Sequence, residues 1–280
     1  YLGAPAGDYT AAVGARWLIS AVARAMTPGC KADAVLILEG NQGAGKSSAL
    51  RALCSPWYSD DVPDLSAGKE AALALRGVWV LELPELDALS QAESARIKAF
   101  FSRGVDRYRP PYGARLVEVP RSCVLAGTTN AATYLKDETG GRRFWPVPVG
   151  LIDVDALARD REQLWAEAVA RWRAGESWHL DTAELVALAE EEQLARYHED
   201  PWTARVIQEA RSRWPATDRK PAGVTLLEVL VDGLGFDVDK VQRRDSDRVA
   251  RILRAAGWRP VRPRAEPGQA RVRRYLPPEG

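Results

Sequence analysis

The stretch Val35-Leu36-Ile37-Leu38-Glu39-Gly40-Asn41-Gln42-Gly43-Ala44-Gly45-Lys46-Ser47-Ser48 constrains this chain more than any other. A short apolar run, consistent with a buried strand, feeds a glycine-rich turn. The turn opens into a helix over Ala49-Leu50-Arg51-Ala52-Leu53, which Ser55-Pro56 stops. Gly40, Gly43 and Gly45 free the backbone so that successive N–H groups, with those of Gln42, Ala44 and Ser48, can close round a phosphate chain. Lys46 supplies a point charge for the β- and γ-phosphates, and the Ser47 hydroxyl a ligand for Mg²⁺. A glycine-rich loop that binds nothing is the alternative. The strand before and helix after the G-x-x-x-x-G-K-S spacing argue against it, so ATP with Mg²⁺ is the expected ligand.

A chain of 280 residues has room for one large α/β domain and a small appendage, and its 10 tryptophans give the core bulky material. No apolar run approaches membrane-spanning length, and the N-terminus lacks the basic-then-apolar pattern of a secretory signal. The chain begins at Tyr1, which is compatible with a piece of something longer. Cys30, Cys54 and Cys123 are scattered, and His179 and His198 stand alone, so no metal-ligand spacing exists. Buried or free thiols in a reducing cytoplasm is the expectation. The net charge of +1 hides an asymmetry: from Val241 to Gly280 eleven arginines face four acids, a balance of +7, which leaves −6 for the rest. That tail is a candidate polyanion-binding surface.

The periodicity predicts a helix over Asp8–Met26, with Val13, Trp17, Leu18, Ala21 and Val22 on one face, ended by Pro28-Gly29. Trp57-Tyr58 reads as a short strand and Leu65–Leu75 as a helix closed by Arg76-Gly77. Val78–Leu81 is a buried-strand run that delivers Glu82 and Glu85 at its end. Ser90 and Glu93 form a capping box for a helix to about Arg103. Gly104–Pro120 reads as extended, and Cys123–Gly127 as a third buried strand ending at Thr128-Thr129-Asn130. Gly140-Gly141 leads to Arg142-Arg143 and a strand over Phe144–Val149, whose Pro146 and Pro148 confine it to an edge. Asp155–Arg173 is a helix with Leu157, Leu164, Trp165 and Val169 as its stripe, and Asp181 with Glu184 caps another to about Tyr197.

Strands alternating with helices imply a mainly parallel sheet wrapped by helices. Asp200-Pro201 marks a boundary, giving domains 1–199 and 200–280. Beyond it come helices over Trp202–Arg213, Leu226–Leu234 and Ser246–Ala256, then extended pieces Trp258–Val261 and Arg271–Leu276. Three helices and a terminal hairpin is the outline of a small basic winged-helix-like α+β domain.

Glu82 stands where a P-loop NTPase holds the carboxylate that organises Mg²⁺ and the attacking water, and Glu85 could polarise that water. Spacing does not divide the two jobs, and a solvated glutamate at a strand end is the alternative for each. Asn130 can orient water at the γ-phosphate without adding negative charge, or be an ordinary turn former. Arg142 and Arg143 could serve as an arginine finger to a neighbouring subunit, or be surface arginines. Lys98, Arg103, Arg107, Arg109, Tyr112 and Arg115 form a basic segment interleaved with aromatics, suited to a single strand or simply a solvated loop. In the tail Arg243, Arg244, Arg248, Arg251 and Arg254 cluster on or beside one helix. Duplex recognition would add Arg271, Arg273 and Arg274 on phosphates, although winged helices also bind proteins.

EGNQGAGKSSALRAL, LRGVWVLELPEL, KAFFSRGVDRYRPPYGARLVEVPRSCVLAGTTN, GGRRFWPV and DREQLWAEAV, in that order from about Gly14 to Trp178, resemble the virulence-associated E family. That family serves phage, prophage and mobile-island replication and looks like superfamily 3 helicases of the AAA+ class. The resemblance implies Lys46 and Ser47 as phosphate and Mg²⁺ residues, Glu82 as the acid of the second motif, Asn130 as sensor and Arg142 or Arg143 as finger. It places Lys98–Arg115 where such helicases contact DNA in the pore. The two acids stand three residues apart instead of adjacent, a departure from the family pattern. A primase often precedes this module in relatives, and nothing here encodes one.

The reading is an ATP-hydrolysing homo-oligomeric ring, a hexamer by resemblance, that moves on single-stranded DNA, with duplex contacts at the tail. One rival is an ATP-controlled DNA-binding switch without motor activity. The other is a small-molecule P-loop kinase, in which the arginine pair and basic tail have no obvious use.

Overall fold

Five short strands of the first part of the chain form one sheet, and its three central strands are buried along their whole length. The computed structural model describes residues 1–64, 68–86, 97, 99–100, 102–135, 141–197, 200–213, 223–261 and 273–278. The Ser90–Glu93 capping box, Lys98, His198 and Arg271 lie outside the described residues. By contact clustering the chain divides into two units, Tyr1–His198 and Glu199–Gly280.

In the first unit β1 (Val35–Glu39), β2 (Tyr58–Ser59), β3 (Val80–Leu83), β6 (Val124–Thr129) and β7 (Phe144–Pro148) lie in the order β2-β3-β6-β1-β7. Every neighbouring pair is parallel. All their carboxyl ends therefore share one edge of the sheet, the edge at which open parallel sheets bind ligands. β7 is an edge strand, as its two prolines require. The β3 register runs two residues later than the apolar run suggested, which puts Glu82 inside the strand instead of at its end.

One face of the sheet carries α1 (Asp8–Met26), α2 (Lys46–Cys54) and α4 (Val154–Arg173), with Val13, Trp17, Leu36, Leu38, Leu50, Val80 and Trp145 among the buried residues. Trp17 fixes α1 by donating its indole N–H to the Leu125 carbonyl at 2.8 Å. The opposite face buries Val35, Ile37, Leu81, Leu125, Phe100 and Leu135, with α3 (Lys69–Ala74) contributing Ala71. The next helix, α5 (Ala183–Leu194), is capped by Thr182, whose hydroxyl accepts from the Leu185 N–H. Asp181, expected as the cap, instead pairs with Arg16 at 3.1 Å, and the helix ends at Leu194 instead of Tyr197. Past it, Arg196 makes a bidentate pair with buried Glu39, the last residue of β1, at 2.8 Å on each oxygen.

Gly104–Pro120 is extended, but it folds back on itself as an antiparallel hairpin of β4 (Val105–Tyr108) and β5 (Val117–Pro120). Its root is fixed. Arg121 is 5% exposed, grips both carboxylate oxygens of Asp106 at 2.6 Å and lies over the Phe100 ring. Gly104 backs so closely on Gly29 that a Cβ there would stand 2.5 Å from the Gly29 carbonyl oxygen. The tip is the opposite case: Arg109, Tyr112, Arg115 and Leu116 are exposed, and Tyr112 holds φ at +59°.

The second unit has a core of its own. α6 (Thr203–Ser212) supplies Val206 and Ala210, and α8 (Arg243–Ala255) supplies Val249, Ile252 and Leu253. Between them α7 (Leu226–Glu228) continues as a single π turn to Gly233 and buries Val229 and Leu230. α8 starts three residues before the expected Ser246 because Gln242 and Asp245 form a reciprocal cap. β8 (Arg259–Val261) and β9 (Arg274–Leu276) pair antiparallel, and Tyr275 inserts into the core.

Candidate nucleotide site

The loop between β1 and α2 is shaped by glycines in the left-handed region, Gly43 at φ +79° and Gly45 at φ +86°. Side chains other than glycine rarely adopt that backbone. Gly40 serves packing: a Cβ would come within 2.9 Å of Val149. Gln42, Gly43, Ala44, Gly45, Lys46, Ser47 and Ser48 line an open cleft of about 340 Å³. Pro84, Glu85, Thr128, Thr129 and Asn130 close it from the ends of β3 and β6.

Lys46 is the first residue of α2, and its ammonium donates to the Gly40 carbonyl at 2.7 Å, the Asn41 carbonyl at 2.9 Å and Asn130 Oδ1 at 2.9 Å. Burial lowers its pKa below the usual lysine value, and Glu82 opposes the shift. Lys46 and Asn130, 84 residues apart, are thus neighbours.

Ser47 donates to Glu82 Oε1 at 2.6 Å, and Thr128 donates to the same oxygen at 2.7 Å. Tyr58 donates to Oε2. Glu82 is 1% exposed, so its carboxylate depends on these three hydroxyls for the hydrogen bonds that water would otherwise make. Tyr58 and Thr128 escaped the sequence reading, since only the pairing of β2, β3 and β6 brings them to Glu82. The Tyr58 phenol is pushed well above its ordinary pKa, by burial first and by Glu82 second. Glu85, by contrast, is exposed on the cleft wall with φ at +50°, a strained backbone for a residue with a side chain.

A hydroxyl beside a carboxylate, both hard oxygen donors, fits Mg²⁺, which takes few protein ligands and keeps waters and phosphate oxygens for the rest. Among the described residues no group of three or more His, Cys, Asp or Glu is placed to hold a metal ion. Ser47 and Glu82 are the pair here that could hold such a cation, with few protein ligands.

Arg142 and Arg143 are not in this cleft. They sit in a 3₁₀ turn just before β7, at the amino edge of the sheet. They line a second cavity of about 390 Å³ with Lys31, Asp33 and His179. Arg143 pairs with Asp33 at 3.3 Å, and Arg142 is exposed. Burial lowers the pKa of His179. The five residues of β1 separate the two edges by roughly 16 Å at about 3.3 Å per residue, beyond the reach of an arginine side chain.

Of the other basic residues, Arg103, Arg107, Arg109, Arg115, Arg243, Arg244 and Arg273 are exposed, and Arg107 faces Glu118 across the hairpin at 3.7 Å. Arg248 is spent internally: it grips Asp200 through two bonds of 2.7 Å and lies over the Trp202 ring, which revises its place among the tail's candidate DNA contacts. Arg274 donates to the Gly223 carbonyl and is likewise structural. Arg251 is half-buried. Among the described residues no helix is long and apolar enough to cross a membrane.

The chain matches the family model of the virulence-associated protein E-like domain over residues 1–198. None of the curated proteins matches it. Among solved structures it is similar to the apo C-terminal region of NrS-1, residues 305–718, at 14% identity and a TM-score of 0.45, over 89% of this chain and 59% of that one. An A form of the same apo region gives 13% identity, a TM-score of 0.43, and coverage of 87% and 58%. The chain thus spans about three fifths of the length of these structures.

Proposed function

The chain belongs to the virulence-associated protein E-like family, and on that premise we propose that it is an ATP-hydrolysing, ring-forming motor of the AAA+ superfamily 3 type. Its work is on DNA, in the replication of a phage or other mobile element. The observation that carries this reading is the convergence of Lys46 with Asn130, and of Ser47 with Glu82, at one edge of a parallel sheet.

The triphosphate lies along the glycine loop, its oxygens taken by N–H groups from Gly43 to Ser48 at the start of α2. Lys46 exchanges the Gly40 and Asn41 carbonyls for β- and γ-phosphate oxygens. Ser47 and Glu82 would hold Mg²⁺, which would supply neutralisation of the charge developing on the phosphates. Asn130, released by Lys46, orients the attacking water. Glu82 is fully engaged by hydroxyls, so the exposed Glu85 is the acid left to polarise that water. Arg142 and Arg143, at the amino edge of the sheet, would reach the γ-phosphate of a neighbouring subunit and not that of their own. The exposed hairpin tip, with Arg109, Tyr112 and Arg115, faces a single strand in the ring. The second unit, three helices followed by a hairpin, acts as a winged helix whose Arg243, Arg244 and Arg273 meet duplex phosphates.

The test is the ATPase rate with and without single-stranded DNA, alongside oligomer mass with an ATP analogue. A motor shows a DNA-stimulated rate and a ring. Sequence-specific duplex binding without stimulation would favour the ATP-controlled switch, and a monomer phosphorylating a small molecule would favour the kinase.

A further inference from the structure

We propose that Tyr58 is a positioning residue for the Glu82 carboxylate, holding Oε2 so that Oε1 stays turned to Ser47 and the metal site. This rests on the nucleotide-binding reading above and deepens it.

The three hydroxyls on Glu82 are not equivalent. Ser47 and Thr128 both donate to Oε1, whereas Tyr58 donates to Oε2. Ser47 meets Glu82 through Oε1, so a cation that these two residues would hold would be taken on that oxygen, leaving Oε2 to Tyr58. Tyr58 is then the donor that keeps the far oxygen in place while the near one changes partner. Without it, a carboxylate that is 1% exposed would have a buried oxygen with no donor among those described, and would turn to find one.

The phenol is itself well held. Tyr58 lies in the edge strand β2, in register with Val80 of β3, two residues before Glu82. The Trp57 carbonyl beside it accepts from the N–H groups of Trp79 and Val80 at 2.8 and 3.1 Å. Arg51, from the helix that the phosphate loop opens, lies 5.2 Å from the Tyr58 ring centre and is tied to Asp60 at 2.8 Å. The phenol is thus held between β3 and α2, the two elements that carry Glu82 and Ser47. Partners that orient a metal ligand change metal affinity by 10- to 100-fold in other proteins.

Tyr58→Phe keeps the ring and removes only the donor. Calorimetric titration of a non-hydrolysable ATP analogue, in EDTA and across a Mg²⁺ series, reads its effect without turnover, with a thermal melt to verify the fold. The expected result is unchanged affinity in EDTA and a Mg²⁺ requirement raised roughly tenfold or more. In a Glu82→Gln background the same substitution should add nothing further, because coupled residues are not additive. A Mg²⁺ dependence equal to wild type would overturn the assignment. So would a tighter one, or an equal loss in the Glu82→Gln background. Wild-type protein that binds no nucleotide would sink the nucleotide reading itself, a result separate from a silent Tyr58→Phe in a protein that binds normally.

Discussion

The two edges of the parallel sheet hold charged groups in opposite ways. At the carboxyl edge the polar groups are paired, Lys46 with Asn130 at 2.9 Å and Ser47 with Glu82 at 2.6 Å. At the amino edge Arg143 is half-buried and bonded to Asp33 at 3.3 Å, and Arg142 is exposed. Paired, buried groups are held in place, whereas an exposed side chain keeps its rotamer freedom. The difference teaches that the polar groups of the candidate phosphate site are held together at one edge of the sheet, and that the arginine pair lies at the other.

The hardest break in that contrast is Lys46→Ala. It removes the mobile cation of the cleft, and calorimetry with an ATP analogue and Mg²⁺ should show binding abolished. Unchanged affinity would mean the loop binds something else. At the other edge, Arg142→Ala or Arg143→Ala should leave binding intact and slow turnover about 10³-fold, the lower range for an arginine finger. Mixing either variant with Lys46→Ala protein should restore some hydrolysis, since a mixed interface can pair an intact loop with an intact arginine. Full activity in both arginine variants would remove the inter-subunit half of the comparison.

Glu82→Gln and Glu85→Gln sharpen the carboxyl edge alone. Each should keep ATP binding and slow hydrolysis about 10²-fold, because transition-state stabilisation is lost more than ground-state binding. A wild-type rate excludes that residue from the site.

The smallest expected effect is on DNA. Removing Glu199–Gly280 leaves Arg196 with Glu39 and takes the whole second core, where a cut at Ala222 would strand the Val206 and Ala210 face of α6. Fluorescence anisotropy across salt concentrations should show weaker DNA binding and a slope of log affinity on log salt shallower by roughly three, for about three phosphates released from Arg243, Arg244 and Arg273. An identical slope would show that the tail docks on protein instead.

The parts of the site legible in the sequence are those written in consecutive residues. Glycines and a lysine at fixed spacing mark the loop with Lys46 and Ser47, and apolar runs point to Glu82 and Asn130, although β3 runs two residues later than its run and holds Glu82 inside. Tyr58 and Thr128 could not be named, because they meet Glu82 across 24 and 46 residues through strand pairing. Arg248 was legible as charge, but its partner Asp200 lies 48 residues back. The hairpin hid within an extended reading because its turn puts Tyr112, and not a glycine, at positive φ, which residue type does not signal. Thr182 displaced Asp181 as a cap because Arg16, on another helix, claims the aspartate.

The hairpin root has a consequence for how such proteins diversify. Arg121 and Asp106 lock it from within, and Gly104 backs so closely on Gly29 that a Cβ on Gly104 would not fit, while Gly29 holds φ at +87°. From Arg109 to Leu116 the chain is mostly solvent-facing. Substitutions at the tip should therefore be borne at little cost to the fold, whereas those at the root should disturb it.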